Sequence, residues 1–367
     1  MRFVWGLRAT ALLAHLVVFV SAWSLGFRIP AVVWLVVAAP LGLSRLWGLF
    51  DDEPRPAGVV WGIELVFSHL IGVLLGLVSL PLAALIALGV GDVRATGVIA
   101  YALGATIAAY GVFVRRRWLV VRELDVPCVG LPAALEGLRI AHLSDLHIGS
   151  YDTERVGERW VERVQRLRPD LVAVTGDLVT SGTWSYPAAA RVLSRLSARL
   201  GVYVILGNHD QWNGEKFRSE LSAHGVRVLN NAWESVSVSG FGGETQLIVA
   251  GLGDPYTQCA DVQRTLADRP PGYTLLLLHY PSWAERVEGQ DVGLVLAGHT
   301  HGGQVGVPFV SRRLNVARAM GQHSRGLFSL GGMQLHVSAG LGTSGLPFRL
   351  GVAPEIVILR LKRAEAR

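Results

Sequence analysis

The chain has 367 residues, of which 51% are hydrophobic and 17% charged, and it carries a formal net charge of +6. This apolar excess argues against a purely soluble protein, and two well-separated cysteines without a CxxC pair give no basis for a disulfide framework or a thiolate metal site. The composition divides the chain, because residues 1–120 are mostly apolar and the rest is typical of a soluble α/β domain. We therefore predict a transmembrane region at 1–120, a linker containing Pro and Gly at 121–137, and a second domain at 138–367.

Four long apolar stretches occupy the first region, and most are near the roughly 20 residues that a helix needs to cross a bilayer. Arg45 shortens the second stretch, and Pro81 is a plausible position for a kink in the third. A cleaved signal peptide is an alternative for the first stretch, but three more follow it. We predict an all-α transmembrane region of about four helices over Ala9–Leu25, Ile29–Leu43, Val59–Val90 and Thr96–Val114.

Arginines in the connections indicate the orientation, because cytoplasmic loops retain positive charge. With four spans, eight arginines lie on the side of both termini, and only Arg28 and Arg94 lie on the other. This favours a membrane protein with both termini and the second domain in the cytoplasm, whereas three or five spans would place that domain outside. The arginines at 115–117 and Arg122 follow the fourth span, where such clusters typically face anionic lipid headgroups. Membrane lipids are therefore predicted partners, and nucleic acid is not.

Two ionisable residues, Glu64 and His69, lie inside the third apolar stretch. Ionisable groups within a membrane can mark a polar pathway. The alternative is that they pair with each other, at a spacing of five, or with a neighbouring helix, and the sequence favours this pairing.

The second domain alternates apolar runs with helical periodicity, which predicts three successive strand, loop and helix units from Leu138 to Leu206. Such units form a sheet packed between helices, with polar residues at the carboxyl ends of the strands along one edge. After Gly225 the strands are closely spaced, which suggests a second sheet stacked on the first.

Five polar clusters stand where apolar runs end, and their candidate metal ligands are carboxylates, one carboxamide and imidazoles. Mixed nitrogen and oxygen donors of this kind suit Mn²⁺, Fe, Zn²⁺ or Co²⁺ better than Ca²⁺. Two such ions can clamp a phosphoryl group and lower the pKa of a water between them, so hydrolysis at phosphorus is the predicted reaction class. The candidate ligands are Asp145, His147, Asp177, Asn208, His279, His299 and His301.

In this order, the clusters resemble those of the calcineurin-like metallophosphoesterases. The quoted blocks are Asp145-Leu146-His147, Gly176-Asp177, Gly207-Asn208-His209-Asp210, His279 and Gly298-His299-Thr300-His301. The apolar first region and the closing stretch from Gly340 to Glu355 resemble the bacterial membrane-associated branch of that family. The resemblance implies a four-layer αββα sandwich for the second domain.

The same resemblance implies a role for each site residue. One metal would be held by Asp145, His147, Asp177 and His301, and the other by Asp177, Asn208, His279 and His299, so that Asp177 bridges two divalent ions. His209 would be the histidine that is not a ligand, stabilising the transition state or protonating the leaving oxygen, and Asp210 would orient it. Arg349 is a candidate phosphate contact.

The leading hypothesis is a membrane-anchored, metal-dependent phosphoesterase that cleaves a phosphodiester or pyrophosphate bond by attack of a metal-bridging hydroxide. Its substrate would be a phosphorylated small molecule or a lipid-linked molecule. Phosphoprotein is disfavoured, because Leu178–Gly182 lacks the arginine, and Asp210 stands in place of the glutamate, of the protein phosphatase branch. A membrane sensor or transporter that binds metal or a phosphorylated ligand without turnover is the alternative.

The sequence disfavours three further functions. A nuclease is disfavoured because the second domain has no basic stripe interleaved with aromatic residues. The glycines at 340–345 match the GxGxxG spacing of a dinucleotide site, but Pro347 follows where a helix is required. Ser344 lacks the nucleophile-elbow motif of serine hydrolases.

Overall fold

The computed structural model describes residues 13, 15–27, 55–308, 310–311, 313–319, 321 and 323–365. The predicted apolar stretch Ile29–Leu43 and the arginines at 2, 8, 28 and 45 lie outside these residues. The chain forms two compact units. One contains the described residues up to Arg117 together with Gly345–Phe348, and the other contains Trp118–Ser344 and the chain from Arg349 onward.

The N-terminal unit is helical. It contains α1 (His15–Ser24), α2 (Ala57–Gly89) and α3 (Thr96–Ala109), and α3 belongs to a continuous helical stretch from Val93 to Arg117. Among the described residues, α2 and the Val93–Arg117 stretch are the two helices long and apolar enough to cross a membrane, whereas α1 is shorter. Pro81 lies within α2 and does not end it. The third and fourth predicted spans are therefore helical, and the total of four stays a prediction.

Glu64 pairs across this unit with two arginines that were predicted to face lipid headgroups. The buried Glu64 carboxylate accepts hydrogen bonds from Arg116, which is also buried, and from Arg117 at 2.7 and 2.8 Å. Burying an ion requires such a partner, because an unpaired charge away from water is costly. His69 Nδ1 lies 2.9 Å from the Tyr101 hydroxyl. Both residues bond to a neighbouring helix, and the lipid-facing prediction is wrong for Arg116.

The second unit contains two sheets. The first has five strands in the order β1-β11-β2-β3-β4, and the second has six in the order β5-β6-β7-β8-β10-β9. The strands are β1 (Val120–Val129), β2 (Arg139–Leu143), β3 (Leu171–Thr175), β4 (Val202–Ile205), β5 (Ala232–Gly240), β6 (Gly243–Gly251), β7 (Tyr273–Leu277), β8 (Leu294–Ala297), β9 (Gly326–Leu330), β10 (Met333–Val337) and β11 (Glu355–Ala364). The helices are α4 (Glu154–Leu167), α5 (Tyr186–Ser194), α6 (Gly214–Ala223) and α7 (Val262–Leu266).

The predicted linker at 121–137 is not a linker over its first part. Residues 121–129 belong to β1, which pairs in parallel with β11 over ten residues and forms the edge of the first sheet. Pro127 lies within this strand, which is possible because an edge strand needs hydrogen bonds on one side only, whereas Gly130 and Pro132 follow it.

Alternation along the strands assigns side chains to two different cores. In β3, Val172 and Val174 pack with α4, α5 and α6, whereas Leu171 and Ala173 pack against the second sheet. This follows from the two-residue period of a strand. A third core covers the other face of the second sheet, where α7 and the 3-10 turn Pro281–Val287 lie. The two sheets thus pack face to face with helices outside, in agreement with the predicted α/β class.

The direction of the strands brings the polar clusters together. Strands β2, β3 and β4 are parallel neighbours, and so are β7 and β8. The clusters follow the carboxyl ends of these strands, which is the edge of a parallel sheet where sites commonly form.

Candidate metal centre

Four of the predicted ligands form one buried group. Asp145, His147, Asp177 and His301 each offer an atom, and these atoms all lie within 4.8 Å of one another. His147 Nε2 lies 3.0 Å from His301 Nε2 and 3.7 Å from Asp177 Oδ2, and His301 Nε2 lies 3.4 Å from Asp145 Oδ1. The side chains come from loops after β2, β3 and β8, so the group closes only when the two sheets pack together.

A second group shares one carboxylate with the first. Asp177, His279 and His299 also offer atoms within 4.8 Å of one another, and His279 Nε2 lies 3.2 Å from Asp177 Oδ2. The backbone N–H of His209 donates to Asp177 Oδ1 at 2.9 Å, so the loop that carries Asn208 touches the shared side chain. Together the two groups could hold metal ions on either side of Asp177.

Polar atoms without partners support metal binding at this position. Within the described part of the chain, Asn208 Oδ1 is buried and has no hydrogen-bond partner, and His279 Nε2 makes no hydrogen bond of good geometry although Asp177 Oδ2 lies 3.2 Å away. Leaving a buried polar atom unsatisfied costs about 1–3 kcal/mol, and a bound ion would remove that cost. Carboxylate, carboxamide and imidazole atoms form a donor set that suits a divalent cation.

The charge states of the buried groups also fit a cation. Burial lowers the pKa of His147 to about 3 and that of His299 to about 4, so both rings are neutral and keep a lone pair. Burial opposes the ionised form of Asp177, but His279 and His147 outweigh burial and lower the pKa of this carboxyl. Burial likewise opposes a charged His279, yet Asp177 and Asp145 raise its pKa to about 10. The Asp177 carboxylate therefore favours positive charge at this position, which a proton on His279 or a bound divalent cation can supply.

The backbone at the site is held in an unusual conformation. Five of the seven predicted ligands have φ between 46° and 67°: Asp145, His147, Asp177, His299 and His301. Residues other than glycine adopt this left-handed region rarely and at a cost, and such residues cluster at functional sites.

Glycine is required at two positions of the clusters, because a carboxylate oxygen lies close to the backbone there. A Cβ on Gly207 would lie 2.3 Å from Asp177 Oδ1, and a Cβ on Gly298 would lie 2.6 Å from Asp145 Oδ2. Any side chain at either position would displace a carboxylate, which explains why Gly precedes Asn208 and His299.

His209 lies at the site but outside both groups of candidate ligands. Its Nδ1 donates to the Thr180 carbonyl oxygen, and its ring packs edge-on against His147 with centroids 4.8 Å apart. A proton held on Nδ1 leaves Nε2 as the atom available for chemistry.

Asp210 does not orient His209, and that prediction is wrong. Its buried carboxylate accepts hydrogen bonds from the backbone N–H groups of Gly207 (2.8 Å), Leu178 (2.8 Å) and Val179 (3.1 Å). It therefore ties the Asp177 loop to the Asn208 loop. The Thr180 carbonyl performs the role that was predicted for Asp210.

Arg349 is not a substrate contact, because its side chain is fully buried. Its guanidinium donates to the carbonyl oxygens of Ala339 (2.9 Å), Gly340 (3.3 Å), Gly342 (2.5 Å) and Ala353 (3.3 Å). Arg349 thus stabilises the glycine-rich loop at 340–345 through its carbonyl oxygens. The prediction of a phosphate contact is wrong.

Sequence reasoning missed two contributors to the site. The Thr175 carbonyl oxygen accepts a hydrogen bond from His279 Nδ1 at 2.7 Å, which leaves Nε2 to face Asp177. The Tyr280 ring packs on His299 with centroids 3.9 Å apart. Thr175 directly precedes Gly176-Asp177 and Tyr280 directly follows His279, so their positions in the sequence could have indicated these contacts.

A cleft of about 270 Å³ opens beside His299 and gives the site room for a substrate. Its lining residues are Tyr280, Pro281, Ser282, Glu285, His299, Thr300, Ala317, Gly321 and His323. His323, which stands outside the five clusters, thus lies near the site, whereas His142 and His336 bond to each other between the two sheets.

Comparison with known proteins identifies similar chains. Residues 138–303 match the family model described as calcineurin-like phosphoesterase. A transmembrane protein with metallophosphoesterase domain from Danio rerio is 32% identical over 339 residues, which cover 86% of this chain and 76% of that protein. An uncharacterized metallophosphoesterase from Aquifex aeolicus is 31% identical over 67% of this chain and 92% of its own length. The metallophosphoesterase YkuE of Bacillus subtilis is 28% identical over 72% of this chain and 94% of its own length.

Proposed function

This chain belongs to the calcineurin-like metallophosphoesterase family, and from this membership we propose that it is a membrane-anchored enzyme that uses two divalent ions to hydrolyse a phosphodiester or pyrophosphate bond. The observation that carries the proposal is the shared carboxylate. Asp177 belongs to two buried groups of donors, and the loop that carries the unsatisfied Asn208 Oδ1 donates the His209 backbone N–H to Asp177.

The proposed ligand assignment follows these two groups. Asp145, His147 and His301 would hold one ion with Asp177, and Asn208, His279 and His299 would hold the other. Bound ions would polarise the phosphoryl oxygens and lower the pKa of an attacking water. Manganese, iron, zinc and cobalt all suit this donor set.

His209 supplies proton transfer in this proposal. The Thr180 carbonyl holds its Nδ1 proton, so Nε2 can carry a second proton and donate it to the leaving oxygen. Asp210 keeps the loops after β3 and β4 at a constant separation, because one carboxylate accepts N–H groups from both. His209 thereby stays beside the donors of the metal centre.

The anchoring proposal rests on α2, on the Val93–Arg117 stretch and on the relative from Danio rerio, whose name describes a transmembrane protein. The arginine asymmetry supports a bacterial inner-membrane location with a cytoplasmic catalytic domain. Cys259, which is exposed, offers a test, because Cys128 is buried. In sealed inside-out membrane vesicles we expect a membrane-impermeant maleimide to label Cys259. Labelling in intact spheroplasts would instead place the domain outside.

Activity is tested with the full-length protein in lipid nanodiscs. After treatment with a chelator we expect no hydrolysis of bis(p-nitrophenyl) phosphate, and we expect Mn²⁺ to restore it. A panel of lipid-linked phosphodiesters and pyrophosphates, with Asp177→Asn as the control, then identifies the substrate class. Stoichiometric metal binding without turnover of any panel member would contradict an enzyme and favour a membrane sensor.

A further inference from the structure

A surface loop beside the metal centre exposes an unusual number of aliphatic side chains. Its described residues are 307–308, 310–311 and 313–318, and it is called here the outer loop. The exposed fractions are 51% for Val307, 45% for Val310, 57% for Leu314 and 58% for Val316. Single exposed aliphatic residues are ordinary, whereas several on one short loop indicate a contact surface.

The hydrogen bonds of the outer loop fix this outward arrangement. The Val307 N–H donates to the Leu314 carbonyl at 2.9 Å, and the Val316 N–H donates to the Val305 carbonyl at 3.0 Å. Asn315 Nδ2 donates to the Ser311 carbonyl at 2.7 Å, and Ser311 is buried. The loop therefore bonds Ser311 and Asn315 internally and leaves its aliphatic side chains exposed.

The charged residues described in the outer loop have one sign. They are Arg313 and Arg318, and the acidic Glu285 lines the cleft with Ala317 at the base of the loop. Arg313 and Arg318 are exposed. Aliphatic side chains flanked by arginines match an anionic lipid surface, where the former enter the interface and the latter bind headgroups. A protein surface would instead be expected to require complementary hydrogen-bonding groups.

The base of the outer loop is continuous with the metal centre. Ala317 is buried and lines the cleft that also contains His299. A Cβ on Gly303 would lie 2.5 Å from the Ala317 backbone nitrogen, so the loop packs tightly against the chain just after His301. A surface bound by the outer loop would consequently lie beside the opening of the cleft.

We propose that the outer loop binds the surface of an anionic bilayer and presents lipid-linked phosphodiesters to the cleft at His299. The presentation of lipid-linked phosphodiesters rests on the proposed function, whereas the binding of the bilayer does not. Hydrolysis at a membrane surface would then select substrates with an apolar anchor over water-soluble ones.

The binding is tested in the full-length protein in nanodiscs that contain phosphatidylglycerol. In a Cys259→Ser background, Leu314→Cys is labelled with an environment-sensitive fluorophore. Phe241→Cys is the matched control, since Phe241 is also apolar and is 93% exposed at the β5–β6 hairpin. We expect blue-shifted emission and quenching by doxyl-labelled lipid at Leu314 and neither effect at Phe241. Arg313→Glu with Arg318→Glu should reduce the quenching at least about twofold, because two cationic contacts become repulsive.

Equal emission and quenching at the two labelled positions would overturn the proposal. A blue shift at Leu314 that doxyl lipid does not quench would also overturn it, because the loop would then contact protein rather than lipid. Neither readout depends on turnover, so an inactive enzyme would leave this test intact. If the enzyme is active, the double charge reversal should raise the KM for a lipid-embedded phosphodiester by about tenfold. The KM for bis(p-nitrophenyl) phosphate should stay unchanged.

Discussion

The metal centre and the histidine pair between the sheets both use buried imidazoles that bond to Thr175. His142 Nε2 lies 2.9 Å from Thr175 Oγ1, and its Nδ1 lies 2.8 Å from His336 Nδ1. His279 Nδ1 bonds to the Thr175 carbonyl, whereas its Nε2 lies 3.2 Å from Asp177 Oδ2. Burial alone therefore does not distinguish a candidate metal ligand, whereas a carboxylate shared among several imidazoles does.

Electrostatics separates the two regions in the same way. Burial lowers the pKa of His142 well below its ordinary value, and no carboxylate compensates. At His279 burial acts in the same direction, but Asp177 and Asp145 reverse the shift. His142 is therefore neutral, while the carboxylates of the metal centre favour positive charge, which a divalent cation would supply.

The largest expected effect comes from the shared carboxylate. We expect Asp177→Asn to lose bound metal and to lower kcat/KM by about three orders of magnitude, since the ions supply several kcal/mol of transition-state stabilisation. Metal content by mass spectrometry and hydrolysis rates check this. Full activity in a verified metal-free Asp177→Asn protein would refute the assignment.

Removal of His209, the proposed proton donor, should affect turnover without affecting metal content. We expect His209→Ala to retain its ions and to lower kcat by about 10²–10⁴-fold, the usual contribution of a general acid. His224→Ala, at the end of α6, is the matched control and should keep wild-type rates. Loss of metal in His209→Ala would instead make His209 a ligand.

A smaller effect is expected where the loops are tied together. Asp210→Asn keeps one acceptor oxygen of the two that receive N–H groups from Gly207, Leu178 and Val179. We expect metal affinity to fall about 10–100-fold, as for other groups that support ligands. Isothermal titration with Mn²⁺ measures this. Wild-type metal affinity with a reduced kcat would contradict this expectation and support the predicted role of Asp210 in orienting His209.

The smallest effect on activity is expected at the histidine pair. We expect His142→Leu to lower the free energy of unfolding by about 1–3 kcal/mol, because His336 loses a buried partner, and to change kcat less than tenfold. Thr175→Val is the matched test, since it deletes the hydroxyl that contacts His142 and keeps the carbonyl that orients His279. Loss of metal from either variant would show that the histidine pair also supports metal binding, which would contradict the distinction between the two regions.

Most of the candidate site could be predicted because short-range patterns encode it. Each ligand follows an apolar run, and parallel strands bring their carboxyl ends to one edge. The roles of Asp210 and Arg349 could not be predicted, because a linear pattern does not show that these side chains turn inward to backbone groups rather than toward a substrate. The same holds for β1, whose pairing with β11 joins the two ends of the second unit, and for the ion pair between Glu64 and Arg116.

The sequence by itself determined the division of the chain, the α/β class, the phosphoesterase family and the residues that meet around Asp177. These properties depend on local periodicity and on motif order, which a linear pattern contains. Only the tertiary structure decided which buried polar groups satisfy one another and which remain unsatisfied. That distinction arises when the two sheets pack, because His279 and His301 reach Asp177 and Asp145 from the opposite sheet, while His142 finds His336.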